Sequence, residues 1–470
     1  MQTLIGLPML LPYLRFITAM LREKEKRIRE GMKMMGLNNG AFYLSWLITY
    51  FIILTITSLL VSIVLAGAFF TNSSWGLLFT WHWTFSLAIL GLGFLCQVFF
   101  SKAKSGTVFG FVIFFLLGFL EVPSGGEDDP VAAKFICSFG PPTSIALSGN
   151  QILNFESDQT GLNQDNVNLR LSNYEFWFHY FWMCIDFLLF NVLAVYLDQV
   201  LPQEFGVRKH PLFCLKRNKD KKTSSKVDND DPESKLIDER ANPDNFEETD
   251  PAFIAQDKNN ESIKVQKLKK QFASGKVAVD GVSFNMYKGQ IFALLGHNGA
   301  GKTTTINMIT GLYEATSGQT SIFGTITKDN LEEVRKQMGV CPQHDILFDN
   351  LTVKEHLELF ATFKGMEKEK MDKDIKEIIS DLDLADKTNY LAKNLSGGQK
   401  RKLSVGIAFI GGSKFILLDE PSSGMDTSAR RRLWDMLKNY RSQKVILLTT
   451  HYMDEADYLG DRIAIMGEGQ

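Results

Sequence analysis

The chain has 470 residues, in which 51 lysines and arginines nearly balance 53 aspartates and glutamates, giving a net charge of −2. Nucleic-acid-binding proteins are usually strongly basic, so this balance argues against a nucleic-acid partner. Apolar residues make up 45% of the chain and charged residues 22%, which excludes global disorder, and five cysteines are too few for a disulfide scaffold.

The charges are unevenly distributed along the chain. Between residues 41 and 120 the only charged side chains are Lys102 and Lys104, whereas nearly half of residues 216–261 are charged. A solvent-exposed domain carries charges throughout its surface. The first region is therefore typical of a membrane domain, and the second is typical of a solvated linker.

Four apolar stretches are candidates for membrane-spanning helices. About 20 apolar residues are needed to cross the hydrocarbon core of a bilayer. Three of the four stretches are long enough, and the remaining one, residues 105–120, is short. Buried helices of a large soluble protein are the alternative, but such helices rarely lack charge over this length. A fifth stretch, residues 3–21, contains two prolines and Arg15 and indicates the end of a partial first span. The four predicted spans cover residues 41–70, 75–100, 105–120 and 176–198.

The distribution of basic residues predicts how these spans are oriented. Lysines and arginines predominate in residues 22–33 and again in residues 208–222, so both segments are expected in the cytosol. Residues 121–175 carry mainly acidic charges and are expected to be extracytoplasmic. The sequence thus predicts a multi-pass integral membrane protein, with everything after the last span in the cytosol; which membrane holds it is left open.

A phosphate-binding loop follows a predicted buried strand at residues 291–295. Residues 296–303 fit the pattern GxxxxGK[ST], in which glycines let backbone N–H groups surround phosphate oxygens. Lys302 would supply a charge to the β- and γ-phosphates, and Thr303 a hydroxyl to Mg²⁺. Alone, the motif leaves kinases, GTPases and ATPases open. The predicted nucleotide-binding residues here are Gly296, Asn298, Gly299, Ala300, Gly301, Lys302, Thr303 and Thr304.

A second motif stands about 120 residues later, where an apolar run from Phe415 ends in Asp419 and Glu420. Four apolar residues indicate a buried strand, and an acid at its end is suited to hold Mg²⁺. The adjacent Glu420 is suited to polarise a water molecule. In isolation the acids could simply cap a strand, but their position after a phosphate-binding loop favours the catalytic interpretation.

A third motif, residues 394–399, contains LSGGQ and resembles the signature of ATP-binding cassette (ABC) proteins. Further residues stand at the positions that this family's pattern gives them, namely Phe272, Gln343, Asp426 and His451. A single histidine or glycine pair occurs by chance, whereas this ordered set does not. The set indicates an ABC nucleotide-binding domain.

The resemblance implies that two such domains enclose two ATP molecules head to tail. A second nucleotide-binding domain is therefore an expected partner, supplied by a missing half of the chain or by a second copy. The residues expected to contact ATP on the partner domain are Leu395, Ser396, Gly397, Gly398 and Gln399, with Asp426 in the neighbouring D-loop.

The family also implies roles for the remaining residues. Phe272 would stack on adenine, and Mg²⁺ would be held by Thr303, Gln343 and Asp419. Hydrolysis would use Glu420 as the general base, Gln343 as the sensor of Mg²⁺ and water, and His451 as the clamp on the γ-phosphate. The implied cofactors are ATP and Mg²⁺, and the implied enzyme activity is ATP hydrolysis coupled to transport.

Several stretches in both halves resemble subfamily A of the ABC transporters, namely residues 23–37, 196–207, 296–305, 341–347 and 402–414. Two features depart from that pattern. The family has a further helix and a large extracytoplasmic domain before residue 1 and continues beyond residue 470, so an incomplete chain is expected. In addition, Thr427 replaces a proline common after the D-loop aspartate.

The predicted fold class is an α-helical polytopic membrane domain followed by an α/β P-loop NTPase domain. The membrane domain covers residues 1–205, a charged cytosolic linker 206–261, and the nucleotide-binding domain 262–470, truncated at its C-terminus. Residues 21–36 are interpreted as a coupling helix that contacts this domain near Gln343, or else as a solvated connector. By resemblance, short re-entrant helices are expected within residues 121–175.

The function expected from the resemblance is ATP-driven translocation of lipids or lipophilic molecules across the bilayer. An ATP-gated channel or regulator on the same scaffold, or an inactive fragment, are the alternatives. Asp186 lies inside the last predicted span and is interpreted as polar contact between helices or as a transport residue.

Overall fold

The computed structural model describes residues 2–121, 129–169, 173–201, 211, 251–328 and 330–470. The chain forms two compact units. The first comprises Met1–Arg27 and Asn39–Leu201, and the second comprises Ile28–Asn38 and Pro202–Gln470. Most of the predicted linker lies outside the described residues, but its last part contains helix Pro251–Lys258.

The first unit is helical throughout the part that the structure describes. Its helices α3, α4 and α8 are long and apolar enough to cross a membrane, whereas α5 is apolar but only 16 residues long. Helices thus occupy the residues of the four predicted spans, and that each of the four crosses a membrane stays a prediction. The helices of this unit are α1 (Gln2–Glu25), α3 (Asn39–Ala68), α4 (Trp75–Val98), α5 (Ala103–Gly118), α6 (Val131–Cys137), α7 (Pro141–Ser157) and α8 (Trp177–Val200).

Helix α4 forms the centre of this unit, and most of its side chains are buried. A Cβ atom on Gly91 would lie 3.2 Å from the Cβ of Phe190, so the glycine allows α4 and α8 to approach closely. The hydroxyl of Ser58 in α3 donates to that of Ser86 in α4 at 3.2 Å. By contrast, α3 exposes most of its apolar side chains, which is the pattern expected of a lipid-facing helix.

Asp186 lies fully buried in α8. Neither of its carboxylate oxygens has a hydrogen-bond partner among the described residues. The interpretation of Asp186 as a hydrogen-bonded contact between helices is therefore not supported by the side chains around it.

The second unit contains two β-sheets. Their strands are β1 (Ile263–Gln271), β2 (Val277–Met286), β3 (Ile291–Leu295), β4 (Ser317–Ile322), β5 (Thr325–Ile326), β6 (Met338–Cys341), β7 (Phe415–Asp419), β8 (Val445–Thr450) and β9 (Arg462–Ile465). The first sheet is antiparallel with strand order β2-β1-β4-β5, and the second is parallel with order β6-β7-β8-β3-β9.

Helices of the second unit flank these sheets. They are α2 (Ile28–Met34), α9 (Pro251–Lys258), α10 (Lys302–Ile309), α11 (Leu331–Gln337), α12 (Val353–Phe363), α13 (Lys368–Asp381), α14 (Gly397–Phe409), α15 (Thr427–Tyr440) and α16 (Met453–Leu459). Together with the strands they confirm an α/β domain after the helical one. The predicted strands at 291–295 and 415–418 are confirmed as β3 and β7.

The central strands β7 and β8 are entirely buried, and β3 nearly so, as expected from the apolar runs that make up most of each strand. Since the three strands are parallel, their carboxyl ends meet at one edge of the sheet. Ligands of open α/β sheets bind beyond the carboxyl ends of the strands. The residues that follow β3, β7 and β8 are thus brought together at that edge.

The segment Ile28–Asn38 packs against the α/β domain. Helix α1 ends before Arg27, whose φ of 57° breaks the helix, and α2 then begins at Ile28. The sulfur of Met35 accepts a hydrogen bond from the backbone N–H of Val340 at 3.3 Å. A Cβ atom on Gly31 would lie 2.4 Å from Cδ1 of Ile346, so glycine allows this close approach with Ile346 in its present rotamer.

Candidate nucleotide site

The loop between β3 and α10 forms a backbone cradle. Gly299 and Gly301 adopt left-handed conformations, with φ of 88° and 106°. A Cβ atom on Gly301 would lie 2.6 Å from the carbonyl oxygen of Ala278, and one on Gly296 would lie 2.6 Å from that of Met466. Only glycine fits at these positions, and the loop leads directly into the N-terminus of α10, where N–H groups attract anions.

Lys302 is the first residue of α10, and its side chain folds back over this loop. Its ammonium donates to the carbonyl oxygens of Gly296 at 2.6 Å and His297 at 3.0 Å. Burial lowers the pKa of Lys302, while the nearby carboxylates of Glu420 and Asp419 act in the opposite direction. The charge is thus placed at the cradle, where phosphate oxygens would lie.

Asp419 ends β7 and is buried, with 1% of its surface exposed. The hydroxyl of Thr449 donates to its carboxylate at 2.5 Å. Burial raises the pKa of Asp419, whereas hydrogen bonds from Thr449 and Thr303 lower it. Thr303 and Asp419 are therefore neighbours, and a hydroxyl beside a carboxylate is a donor set that fits Mg²⁺.

The described residues contain no cluster of three or more His, Cys, Asp or Glu side chains that could hold a metal. An ion beside Thr303 and Asp419 would therefore take further ligands from water and phosphate oxygens, as Mg²⁺ usually does. Gln343, the third predicted metal ligand, lies on an exposed loop after β6.

Glu420 has a left-handed backbone with φ of 49°, which is unusual for a residue other than glycine. Such a conformation costs about 1–3 kcal/mol and persists only where neighbours fix it. Here the N–H of Glu420 donates to the carbonyl oxygen of Thr449 at 3.1 Å and to its hydroxyl at 3.2 Å. The turn directs the carboxylate toward His451, whose Nδ1 lies 3.1 Å from Oε1 of Glu420.

The predicted adenine-stacking residue Phe272 follows β1 and is partly exposed. Tyr313 packs edge-on against it, with ring centroids 5.6 Å apart and an interplanar angle of 90°. The ammonium of Lys270 lies 5.6 Å from the centroid of Phe272. Tyr313 stands 41 positions further along the chain, and no sequence motif marked it.

The signature residues form the start of α14. Ser396 is its N-cap and accepts from the N–H of Gln399 at 3.3 Å, while the amide oxygen of Gln399 accepts from the N–H of Ser396 at 3.0 Å. A Cβ atom on Gly397 would meet nothing within 4 Å, whereas one on Gly398 would lie 3.6 Å from the oxygen of Gly424. The start of the helix thus remains open on one side and adjoins the D-loop on the other.

The predicted D-loop residue Asp426 caps α15, its carboxylate accepting from the N–H of Ala429 at 2.6 Å. Thr427, in place of the family's proline, is the first residue of the helix. Proline is favoured at that position but not required, so the substitution leaves the helix start intact.

Sequence reasoning also missed Arg401, which is 3% exposed on α14. Its guanidinium contacts the loop that carries Gln343 and the end of β7. The sequence carried no signal for it, because Arg401 stands between Lys400 and Lys402 and only the structure shows that it is buried.

Two protein families match this chain. The family described as "ABC transporter" matches residues 279–423, and the one described as "ABC-2 family transporter protein" matches residues 1–196. With the site geometry above, these matches define the class of each part: a membrane domain of the ABC-2 transporter type, followed by a nucleotide-binding domain of the ABC transporter type. The chain is a multi-pass membrane protein with a cytosolic nucleotide-binding domain of the ATPase type.

Over nearly its whole length the chain is similar to proteins of subfamily A. It is 37% identical over 463 residues to "ABC transporter A family member 2" of Dictyostelium discoideum, covering 97% of this chain and 28% of that protein. It is 36% identical over 485 residues to "Phospholipid-transporting ATPase ABCA3" of Mus musculus, covering 97% and 27%. The chain thus spans little more than a quarter of these relatives.

A solved structure titled "Structure of ATP binding subunit of ABC transporter" is 29% identical to part of this chain. The superposition has a TM-score of 0.42 and covers 44% of this chain and 86% of that one.

Proposed function

We propose that this chain is part of a transporter that uses ATP hydrolysis to move lipids or lipophilic molecules across a bilayer. The observation that carries the proposal is the grouping of Lys302, Asp419, Glu420 and His451 around one edge of the parallel sheet. This grouping supplies a phosphate cradle, a metal ligand and a candidate base together, as phosphoryl transfer requires.

In the proposed reaction, the loop N–H groups and Lys302 bind the β- and γ-phosphates of ATP. Thr303 and Asp419 would hold Mg²⁺, which neutralises charge on the phosphates when bound. Glu420 accepts a proton from the attacking water, whose oxygen bonds to the γ-phosphorus as the bond to the β–γ bridging oxygen breaks, releasing ADP and phosphate. His451 hydrogen-bonds the γ-phosphate and orients Glu420.

A second nucleotide-binding domain is part of the proposal. The start of α14, where Ser396 and Gly397 lie, is open to solvent in this chain. Helix N-termini attract anions, so a second domain could place its bound ATP there. The partner is either another segment of a longer protein or a second copy of this chain.

Lipid is proposed as the substrate class because relatives of this chain include one named as a phospholipid-transporting ATPase. The apolar outer surface of α3 supports contact with the acyl region of the bilayer. No residue described above selects one lipid over another.

We also propose that Ile28–Asn38 couples the ATPase site to the membrane helices. The segment is continuous in sequence with α1 and α3, and its Gly31 and Met35 pack on Ile346 and Val340. These two contacts flank Gln343 in sequence, so a movement of the loop that carries Gln343 would be transmitted to the segment.

The test is ATP-dependent lipid movement by the purified chain reconstituted in phospholipid vesicles. Wild-type protein should move a fluorescent phospholipid with ATP, and Glu420→Gln should bind ATP but lose hydrolysis and movement. Glu367→Gln is the matched control, since that carboxylate is 79% exposed and pairs with nearby Lys370 at 3.5 Å.

Two outcomes would contradict the proposal. Wild-type ATPase rates in Glu420→Gln would exclude Glu420 as the base. Lipid movement only down a gradient, with ATP bound but not hydrolysed, would indicate an ATP-gated pathway in place of a pump.

A further inference from the structure

Arg401 lies on α14, five residues beyond the N-cap Ser396, and its side chain is almost fully buried. One guanidinium nitrogen, Nη1, donates to the carbonyl oxygens of Pro342 at 2.6 Å and Gln343 at 3.4 Å. The same nitrogen lies 3.1 Å from the carboxylate of Asp345. Two of these contacts therefore hold the backbone at Pro342 and Gln343, and the third holds the side chain of Asp345 two residues further on.

The second guanidinium nitrogen, Nη2, reaches a different element. It donates to the carbonyl oxygen of Asp419 and, at 3.0 Å, to that of Glu420. Glu420 is the residue with the left-handed backbone, and the hydrogen bonds of Thr449 hold only its N–H side. On the carbonyl side the oxygen of Glu420 accepts from the N–H of Ser423 at 3.1 Å and from Arg401, and of these two donors only Arg401 also reaches the Gln343 loop.

We propose that Arg401 is a positioning residue for ATP hydrolysis, which holds the Gln343 loop and the end of β7 at a fixed separation. The inference rests on the proposed ATPase function. Arg401 thereby fixes the positions of the Gln343, Asp419 and Glu420 side chains relative to one another, around one nucleotide and its metal ion. Arg401 itself contacts neither the nucleotide nor the metal ion.

Arginine is suited to this role because its planar guanidinium carries donors that point in two directions at once. Lysine could satisfy one of the two elements but not both, since its charge is a single point on a flexible stem. Because α14 begins with the signature residues, the position of Ser396 is linked through Arg401 to both elements of the hydrolytic site.

The experiment compares Arg401→Gln, Arg401→Lys and Lys402→Gln in the full chain. Lys402 is the matched control, since it is a mostly buried cation on the same helix that pairs with Asp383 at 3.5 Å. For each variant we would measure kcat and KM for ATP, and the affinity for Mn²⁺ in the presence of a non-hydrolysable ATP analogue by electron paramagnetic resonance.

The expected result is a separation of binding from turnover. Small misplacements of catalytic groups reduce rates by up to about 100-fold, so kcat of Arg401→Gln should fall by about 10- to 100-fold with KM changed by less than about 3-fold. Mn²⁺ affinity should fall about 10-fold. Arg401→Lys should recover part of both losses, and Lys402→Gln should match wild type.

Three results would overturn the inference: wild-type kcat in Arg401→Gln, unchanged Mn²⁺ affinity in that variant, or equal losses in Lys402→Gln. If wild-type protein hydrolyses no ATP, the proposed function fails, and the Mn²⁺ measurement still decides the role of Arg401. If Arg401→Gln does not fold, the experiment uses Asp345→Asn in its place. That variant keeps the guanidinium of Arg401 and removes the charge of its partner carboxylate. In that variant Mn²⁺ affinity about 3-fold lower supports the inference, and unchanged affinity refutes it.

Discussion

Replacing Gly31 by alanine tests whether the contact of Ile28–Asn38 with the nucleotide-binding domain couples hydrolysis to transport. The added Cβ would lie 2.4 Å from Cδ1 and 2.9 Å from Cγ2 of Ile346. Neither distance is compatible with van der Waals contact, so the segment must shift away from the domain or the isoleucine must change rotamer.

These distances set the free-energy cost of docking the segment on the domain in Gly31→Ala. Overpacking by one methyl group costs about 1–3 kcal/mol, which corresponds to a roughly 5- to 150-fold fall in the ratio of docked to undocked segment. Alanine favours a helix over glycine by about 1 kcal/mol, but this gain acts on α2 whether or not it is docked. The clash therefore decides the outcome.

The assay measures phospholipid moved per ATP hydrolysed in reconstituted vesicles. Gly31→Ala should keep its ATPase activity and lose several-fold in this ratio. Gly67→Ala in α3 is the control, because a Cβ there meets nothing within 4 Å. Combining Gly31→Ala with Ile346→Ala removes both clashing atoms and should restore part of the ratio.

An unchanged ratio in Gly31→Ala would refute the coupling role of the segment. If the amount of phospholipid moved per ATP falls in Gly31→Ala and does not recover in the double variant, Gly31 acts through something other than its contact with Ile346.

Other predictions concern the nucleotide-binding domain. Gly301→Ala, with φ of 106° and the Ala278 oxygen 2.6 Å away, should weaken ATP binding about 10-fold or more in a fluorescence titration, since such strain costs about 1–3 kcal/mol. Thr352→Ala removes the capping box of α12 and should lower Tm by about 2–4 °C, whereas Thr362→Ala on the same helix should not. Burial and the charge of Lys444 lower the pKa of Lys364 to about 7, so above pH 7 the unfolded chain binds the proton that the folded chain has released. Stability should therefore rise with pH from 7 to 9 relative to Lys364→Met, by at most about 1.4 kcal/mol per pH unit; a constant difference in Tm would contradict this.

Features encoded by neighbouring residues were predictable from the sequence. The strands β3 and β7 are short apolar runs, and the loop at 296–303 combines glycines with a lysine at fixed spacing, so both could be located without a structure. Membrane helices were likewise visible, because a bilayer imposes a minimum apolar length on the segments that cross it.

Contacts between distant parts of the chain were not predictable in this way. Nothing local marks Tyr313 as the neighbour of Phe272, or Arg401 as the link between the Gln343 loop and β7, since Arg401 and Pro342 are 59 positions apart. The same holds for the packing of Gly31 on Ile346.

The sequence by itself thus determined the class of the protein, its membrane helices and its nucleotide-binding motifs, since these depend on spacing and hydrophobicity along the chain. Only the tertiary structure decided how the motifs are held, namely the left-handed backbone of Glu420, its contact with His451 and the five contacts of Arg401. The physical reason is that parallel strands distant in sequence meet at one sheet edge, where buried polar groups must find partners wherever the fold places them.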